Sequence, residues 1–346
     1  MKTFLITGGA GFIGSNFLRY LYQRYPEYRF LVLDLLTYAG SVDNLPTSFD
    51  QCDGRLEFWY GDVRNAALVA SLVERSNVVV HFAAETHVTR SIYDNYHFYE
   101  TDVLGTQVIA NSILRHMRTI DRFIHISTSE VYGTALSDHM GEDHQLMPLS
   151  PYASAKAGAD RLVYSYWATY KLPAIIVRPF NNFGPRQHLE KVVPRFITSC
   201  LMDEPLTVHG DGSAMRDWTF VEDTCLALDK LVHCDRNHVV GEAINIGNAT
   251  HMSVAEIAKL VVKAMGKSEK LITYTGDRPG QVFRHTADNT KAAKLLGWKP
   301  TVSFDDGLQK TIAWYRANEA WWRKQLWMRD TPVESKGFKP PLKVAA

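Results

Sequence analysis

Thr3-Phe4-Leu5-Ile6-Thr7-Gly8-Gly9-Ala10-Gly11-Phe12-Ile13-Gly14-Ser15 is the stretch that decides the fold of this chain. Its first five residues form an apolar, partly β-branched run, the pattern of a buried strand. Glycines follow at 8, 11 and 14, and an apolar helical pattern continues through Phe17, Leu18 and Leu21. Strand, glycine turn and helix in that order let backbone approach a pyrophosphate, whose charge then sits at the helix N-terminus. Gly8, Gly11, Phe12, Ile13 and Gly14 are the expected contacts. The alternative, a glycine turn without a ligand, does not need that flanking order.

A second apolar run, Phe30 to Leu33, ends at Asp34, 20 residues after Gly14. A carboxylate there can accept hydrogen bonds from an adenosine ribose and would repel a 2′-phosphate, so NAD is expected rather than NADP. Leu35 and Thr37 follow it along the same site. Leu56 to Tyr60 predicts a third strand with Asp62 and Val63 beyond its end. Asp62 is read either as an adenine contact or as the cap of a helix beginning at Asn65. Val78 to Phe82 predicts the next strand, and its small residues Ala83 and Ala84 let a cofactor lie against the backbone with Phe82. His81 has no second ligand at metal spacing, so a structural role is expected and no metal site is assigned.

Tyr96 to Arg118 reads as one long helix carrying Thr101. Phe123 to Ser127 reads as a strand ending in Thr128-Ser129-Glu130. Ligands of open parallel sheets bind outside the carboxyl ends of the strands, which puts this triplet at a site. Tyr152 and Lys156 stand four residues apart, on one face of a helix expected to run to about Tyr170. A lysine held near a tyrosine favours the phenolate, so Tyr152 is expected to have a lowered pKa and to act as a base. The repeated strand–helix alternation predicts an α/β fold, a Rossmann-type doubly wound parallel sheet.

The 346 residues, 46% hydrophobic and 22% charged, suit one or two globular domains with a large core. A net charge of +1 gives no basis for nucleic-acid or membrane-surface binding. Cys52, Cys200, Cys225 and Cys234 lack metal or disulfide-framework spacing and read as reduced thiols. No signal peptide and no membrane span are evident, and the expected location is cytoplasmic. The expected division is a cofactor domain over 1–180, re-entered around 215–250, a smaller C-terminal substrate domain over 181–328, and a loosely ordered tail over 329–346. Trp314, Trp321, Trp322 and Trp327 are expected to pack a terminal helix.

With these residues assembled, the chain resembles the extended short-chain dehydrogenase/reductase family over roughly residues 1–325. Within it the chain is most similar to dTDP-glucose 4,6-dehydratases. The resemblance rests on Thr7 to Gly14, Tyr152 with Lys156, Leu36 to Gly40, His81 to Val88, Arg90 to Ile92 and Asn181 to Pro185. Glu190-Lys191, Gly210 to Gly212, Arg216 to Trp218 and Asp277 to Gly280 extend it. It implies NAD as cofactor, a nucleotide sugar as substrate, and a homodimer built on the 96–118 and 152–170 helices. It implies Thr128, Ser129, Glu130, Tyr152 and Lys156 as catalytic residues and Asn182 beside the nicotinamide. Thr86, Thr128, Asn181, Glu190, Lys191, Thr207, Val208, His209, Arg216, Arg278 and Gln281 are the implied substrate contacts. Lys191, Arg216 and Arg278 are expected to converge on a diphosphate.

Several positions depart from the family pattern. Ser129 stands where the general-acid aspartate is usual, Thr89 where an Asp is common, His209 where a Tyr is common, Gln281 where a His is common, and Leu35 where a Lys is frequent. The resemblance implies oxidation at C4, loss of water across C5–C6 and reduction at C6; because no aspartate follows Thr128, Glu130 is expected to act as base and then as acid. The serine triplet is also similar to that of enzymes acting on GDP-mannose or UDP-N-acetylglucosamine, and to nucleotide-glucuronate decarboxylases. A 4-epimerase would leave Glu130 with little to do. A non-catalytic dinucleotide sensor would not need Tyr152 and Lys156.

Overall fold

The computed structural model describes residues 2–48, 53–276 and 282–329. Arg278, Gln281, Cys52 and the tail from 330 lie outside them.

Seven strands form one parallel sheet: β1 (Thr3–Thr7), β2 (Arg29–Asp34), β3 (Leu56–Tyr60), β4 (Val78–His81), β5 (Arg122–Ile126), β6 (Ala174–Pro179) and β7 (Ala243–Ile246). Their spatial order is β7-β6-β5-β4-β1-β2-β3, and the order reverses between β1 and β4. Leu5 pairs with Leu31 on one side and Val79 on the other, so β1 is central. Apart from the half-exposed edge strand β3, the strands are buried almost throughout, which suits a parallel sheet covered on both faces. On one face, Phe17, Leu18 and Leu21 of helix Phe12–Arg24 meet Leu228 and Leu231 of helix Val221–His233. On the other, Val69, Leu72, Ile109, Ile113 and Val163 come from three further helices. Each such fully buried aliphatic side chain contributes about 1.5–3 kcal/mol.

The helix of Tyr152 and Lys156 runs from Pro151 to Tyr170. Ser150 caps it through the Ala153 amide, Pro151 occupies the first turn without wasting a donor, and Lys171 ends it in a left-handed conformation. The expected single helix from Tyr96 to Arg118 has a different build. It is α over Tyr96–Phe98, π over Tyr99–Gly105 and α over Thr106–Arg115. Within the π turn, Asp102 points inward and its Oδ1 accepts the Glu85 amide at 2.8 Å. Wide turns of this kind frequently mark functional sites.

After β6 the chain alternates between the sheet and a second core around Phe183, Phe196, Ile257, Val261 and Ile312. Helix Val221–His233 and β7 belong to the sheet side, and so does helix Thr290–Leu296, beyond the 215–250 stretch expected to return there. Helix Val254–Ala264 opens with a Ser253–Glu256 capping box. Trp321 and Trp322 are buried, with indole N–H groups bonded to Asn44 and to the Tyr315 carbonyl, whereas Trp327 is exposed. Cys200 and Cys225 are buried free thiols.

Candidate active site

A cleft of about 410 Å³ opens at the carboxyl ends of β1, β4 and β5, where the strand order reverses. Its size falls within the range of small-molecule sites. Gly8, Gly11, Phe12, Ile13 and Gly14 line it, as do Asp34, Leu35 and Thr37 and, beyond them, Asp62, Val63, Phe82, Ala83, Ala84 and Thr101. Gly8 has φ +68°, and a Cβ there would stand 2.5 Å from the Ala83 amide nitrogen. A Cβ on Gly14 would come within 2.3 Å of the Gly8 carbonyl oxygen. These positions therefore require glycine so that the turn can pack against neighbouring backbone, and they line the cleft at the start of helix Phe12–Arg24, whose N-terminus has no side-chain cap. An uncapped helix N-terminus in a glycine-lined cleft suits a dinucleotide pyrophosphate.

Asp34 does two things at this end. Its Oδ2 accepts the Ala10 amide at 2.9 Å and its Oδ1 the Leu36 amide at 2.8 Å, tying the glycine turn to β2. Burial raises its pKa against those two bonds. Asp62 does not cap the following helix. Asn65 does, through the Leu68 amide, and Asp62 instead holds Arg64 by its side chain and backbone. Asp62 Oδ1 accepts the amide two residues on in an Asx turn, and Asn65, directly before Ala66, is the residue in the capping position. His81 lies under the site, bonded to Thr7 Oγ1 at 2.6 Å and Thr106 Oγ1 at 3.0 Å.

At the other end of the cleft stand Thr128, Ser129, Glu130, Tyr152 and Lys156, joined by Asn181 and Asn182. Thr128 lies two residues beyond β5 and caps a short 3-10 turn over Ser129–Tyr132, its Oγ1 accepting the Glu130 amide. The preceding Ser127 donates to Asp160 at 2.8 Å, and the Asp160 carboxylate is clamped by Arg178 at 2.9 and 3.0 Å. The triplet thus rests on a buried ion pair. Tyr152 stands beside Thr128, whose hydroxyl acts to lower its pKa. The expected lowering of its pKa is not what the folded chain shows: burial and the Asp102 carboxylate raise it, and only the Thr128 hydroxyl opposes them. Lys156 donates its ammonium to the Ile126 carbonyl at 2.7 Å, so its charge is directed at β5. Burial lowers the Lys156 pKa, and Asp102 and Asp160 act against that.

Asp102 is one residue that sequence reasoning missed. It is 1% exposed, its Oδ2 has no hydrogen-bond partner among the described residues, and burial raises its carboxyl well above the ordinary range. Its signal was hidden because an aspartate in the middle of a helical pattern reads as a solvent-facing charge.

The substrate-side expectations divide. Thr86, Glu190, Lys191 and Arg216 line the cleft. Glu190 is turned inward: Tyr38 donates to it at 3.0 Å and Lys191 lies 3.1 Å away. Burial alone would raise the Glu190 pKa, but Lys191, His87 and His188 hold it below the ordinary range. Lys191 also donates to the Thr86 carbonyl. Arg216 donates to the Met215 and Val282 carbonyls, with Nε 3.8 Å from Glu130 Oε1. Lys191 and Arg216 thus share the cleft, while Arg278, the third expected diphosphate contact, lies outside the described residues, as does Gln281. Thr207, Val208 and His209 are not brought to the cleft. They sit on strand Leu206–His209, paired with Ile272–Thr275, and the pleat sends Val208 into the second core and leaves His209 exposed. Gln187, His188 and His87 line the cleft without having been singled out.

The family model for GDP-mannose 4,6 dehydratase matches residues 5–311. The low-salt glycan biosynthesis protein Agl12 of Haloferax volcanii is 46% identical over 91% of this chain and 99% of its own. A dTDP-glucose 4,6-dehydratase of an Actinoplanes strain is 40% identical over 92% of this chain and 99% of its own. Among solved structures, the dTDP-glucose 4,6-dehydratase DesIV of Streptomyces venezuelae, crystallised with NAD, superposes with a TM-score of 0.88. It is 39% identical, over 93% of this chain and 99% of that one.

Proposed function

The chain belongs to the GDP-mannose 4,6 dehydratase family, the nucleotide-sugar 4,6-dehydratases of the extended short-chain dehydrogenase/reductases, and is an NAD-dependent hydro-lyase; we propose that its substrate is dTDP-glucose. The observation that carries this reading is the meeting of Tyr152, Thr128 and Glu130 at one end of a cleft whose other end is the glycine groove. The 40% identity to a dTDP-glucose 4,6-dehydratase across nearly both whole chains supports that substrate.

When bound, NAD supplies the oxidant for C4 of the sugar and the reductant for C6. Gly8, Gly11 and Gly14 would line its pyrophosphate, Asp34 would accept from its adenosine ribose, and Lys156 and Asn182 would hold its nicotinamide end. Tyr152 is placed to take the proton of the 4-hydroxyl once the positive charge that bound NAD would bring offsets the burial and the Asp102 carboxylate that raise its pKa, and Thr128 donates a hydrogen bond to the same oxygen. The ketone at C4 acidifies the C5 proton, which Glu130 removes. Ser129 cannot serve as an acid, since its hydroxyl holds its proton too tightly. Glu130, now protonated, returns that proton to the 6-hydroxyl as it leaves. Arg216 Nε, 3.8 Å from Glu130 Oε1, helps to fix the carboxylate in the cleft. Lys191 and Arg216 hold the substrate's diphosphate.

Ser129 in place of an aspartate also favours a second reading, the same chemistry on GDP-mannose or UDP-N-acetylglucosamine, or C4 oxidation followed by loss of CO₂ from a nucleotide glucuronate. The helices beside the site expose Tyr96, Tyr99, Leu104, Tyr164 and Tyr170, and a second copy of the chain is proposed to cover them. No described helix is long and apolar enough to cross a membrane.

Glu130→Gln tests the assignment of the base. In D₂O, the variant should form no dehydrated product and take up no deuterium at C5, a loss of at least about 10²-fold. Turnover within a few-fold of the unsubstituted enzyme would remove Glu130 from the mechanism.

A further inference from the structure

The serine of the triplet faces a buried histidine. His285 is fully buried, its Nε2 lies 2.7 Å from the Gly133 carbonyl oxygen, and its Nδ1 lies 3.2 Å from Ser129 Oγ. A carbonyl oxygen only accepts, so Nε2 carries the ring proton. Burial lowers the His285 pKa against the pull of Glu130, which keeps the ring neutral and leaves Nδ1 as an acceptor. Ser129 therefore donates its hydroxyl proton to His285 and presents only lone pairs to the cleft that it lines. Glu130 Oε1 stands 4.0 Å from the same Nδ1, so base, serine and histidine form one cluster.

Resting on the dehydratase reading, we propose that His285 is a positioning residue for the elimination: it holds Ser129 Oγ as the acceptor for the sugar's 6-hydroxyl proton, so that the leaving oxygen turns a lone pair toward protonated Glu130. The donors then run one way, from the 6-hydroxyl to Ser129, from Ser129 to His285 and from His285 to Gly133. Hydrogen bonds aligned in this sense strengthen one another, and donation by the 6-hydroxyl makes its oxygen more basic. The step balances without another reactant. Glu130 takes the C5 proton, the electrons of that bond form the C5–C6 double bond, the C6–O bond breaks, and the Glu130 proton leaves with the oxygen as water. An aspartate at 129 would offer a proton of its own. The serine held this way offers an acceptor instead and leaves Glu130 as the single acid.

The test uses His285→Phe, His285→Asn and Ser129→Ala, each followed by dehydrated product and by deuterium entry at C5 of recovered substrate. Asparagine keeps an acceptor near the Nδ1 position and phenylalanine does not, while both lose the bond to Gly133. The expected result is a fall of about tenfold in dehydration for His285→Phe and Ser129→Ala, with C5 exchange retained, and His285→Asn within about threefold of the unsubstituted enzyme. Equal loss of exchange and dehydration in both His285 variants would mean a structural role and overturn the proposal. Unchanged dehydration in His285→Phe or Ser129→Ala would overturn it as well. An unsubstituted enzyme that exchanges C5 but dehydrates no nucleotide sugar would overturn the functional reading itself, and the proposal with it.

Discussion

Asp160→Asn should be among the most damaging single changes outside the cleft. The Asp160 and Arg178 side chains are 0% and 2% exposed, and the guanidinium bonds both carboxylate oxygens, Nε to Oδ2 at 2.9 Å and Nη2 to Oδ1 at 3.0 Å. Ser127 adds a third bond at 2.8 Å. Asparagine keeps one acceptor but leaves the arginine charge buried without its counter-ion, which costs about 3–5 kcal/mol. That is a large share of a typical folding stability of about 5–15 kcal/mol. Arg161 also touches Asp160 but is 45% exposed, so Arg161→Ala should cost only about 0–1 kcal/mol. Burial by itself would raise the Asp160 pKa, but Arg178 and Arg161 hold it below the ordinary range. Its contribution is therefore complete above about pH 4, the unfolded value, and is lost as pH falls through the lower folded value. Urea unfolding at neutral pH should show the full difference between the two proteins, and the difference should shrink in acid. Asp160→Leu with Arg178→Met should recover most of the loss. A cost under about 1 kcal/mol for Asp160→Asn, or a difference that grows in acid, would refute the reasoning.

Gly8→Ala should both destabilise the chain and weaken NAD binding by tenfold or more, because the added Cβ meets the Ala83 backbone at 2.5 Å in a left-handed conformation. Calorimetric titration with NAD checks this, and unchanged affinity would mean that the groove is not the pyrophosphate site. Light scattering should give about twice the chain mass, and Leu104→Asp should shift it toward one, since Leu104 is 51% exposed on the face assigned to a second copy. A monomer before substitution would remove that assignment.

The sheet was legible because its strands are buried on both faces and read as short apolar runs. The glycine turn was legible because steric demand at Gly8 and Gly14 leaves no other residue. Tyr152 and Lys156 were legible as a pair, but their electrostatics were not. The carboxylate that acts on both, Asp102, comes from a π turn whose extra residue breaks the 3.6-residue pattern. His285 was invisible for a different reason: it meets Ser129 across 156 residues, and no local spacing reports such a contact. Thr207 to His209 show the reverse case: a motif match supplied the positions, and strand pleat and pairing leave them outside the described lining of the cleft.

The most direct test of the account is to incubate the purified protein separately with dTDP-glucose, UDP-glucose, GDP-mannose, UDP-N-acetylglucosamine and UDP-glucuronate, and to weigh the products. The account predicts loss of one water from dTDP-glucose, with no net consumption of NAD. Loss of CO₂ from UDP-glucuronate, with every hexose nucleotide returned unchanged, would contradict it.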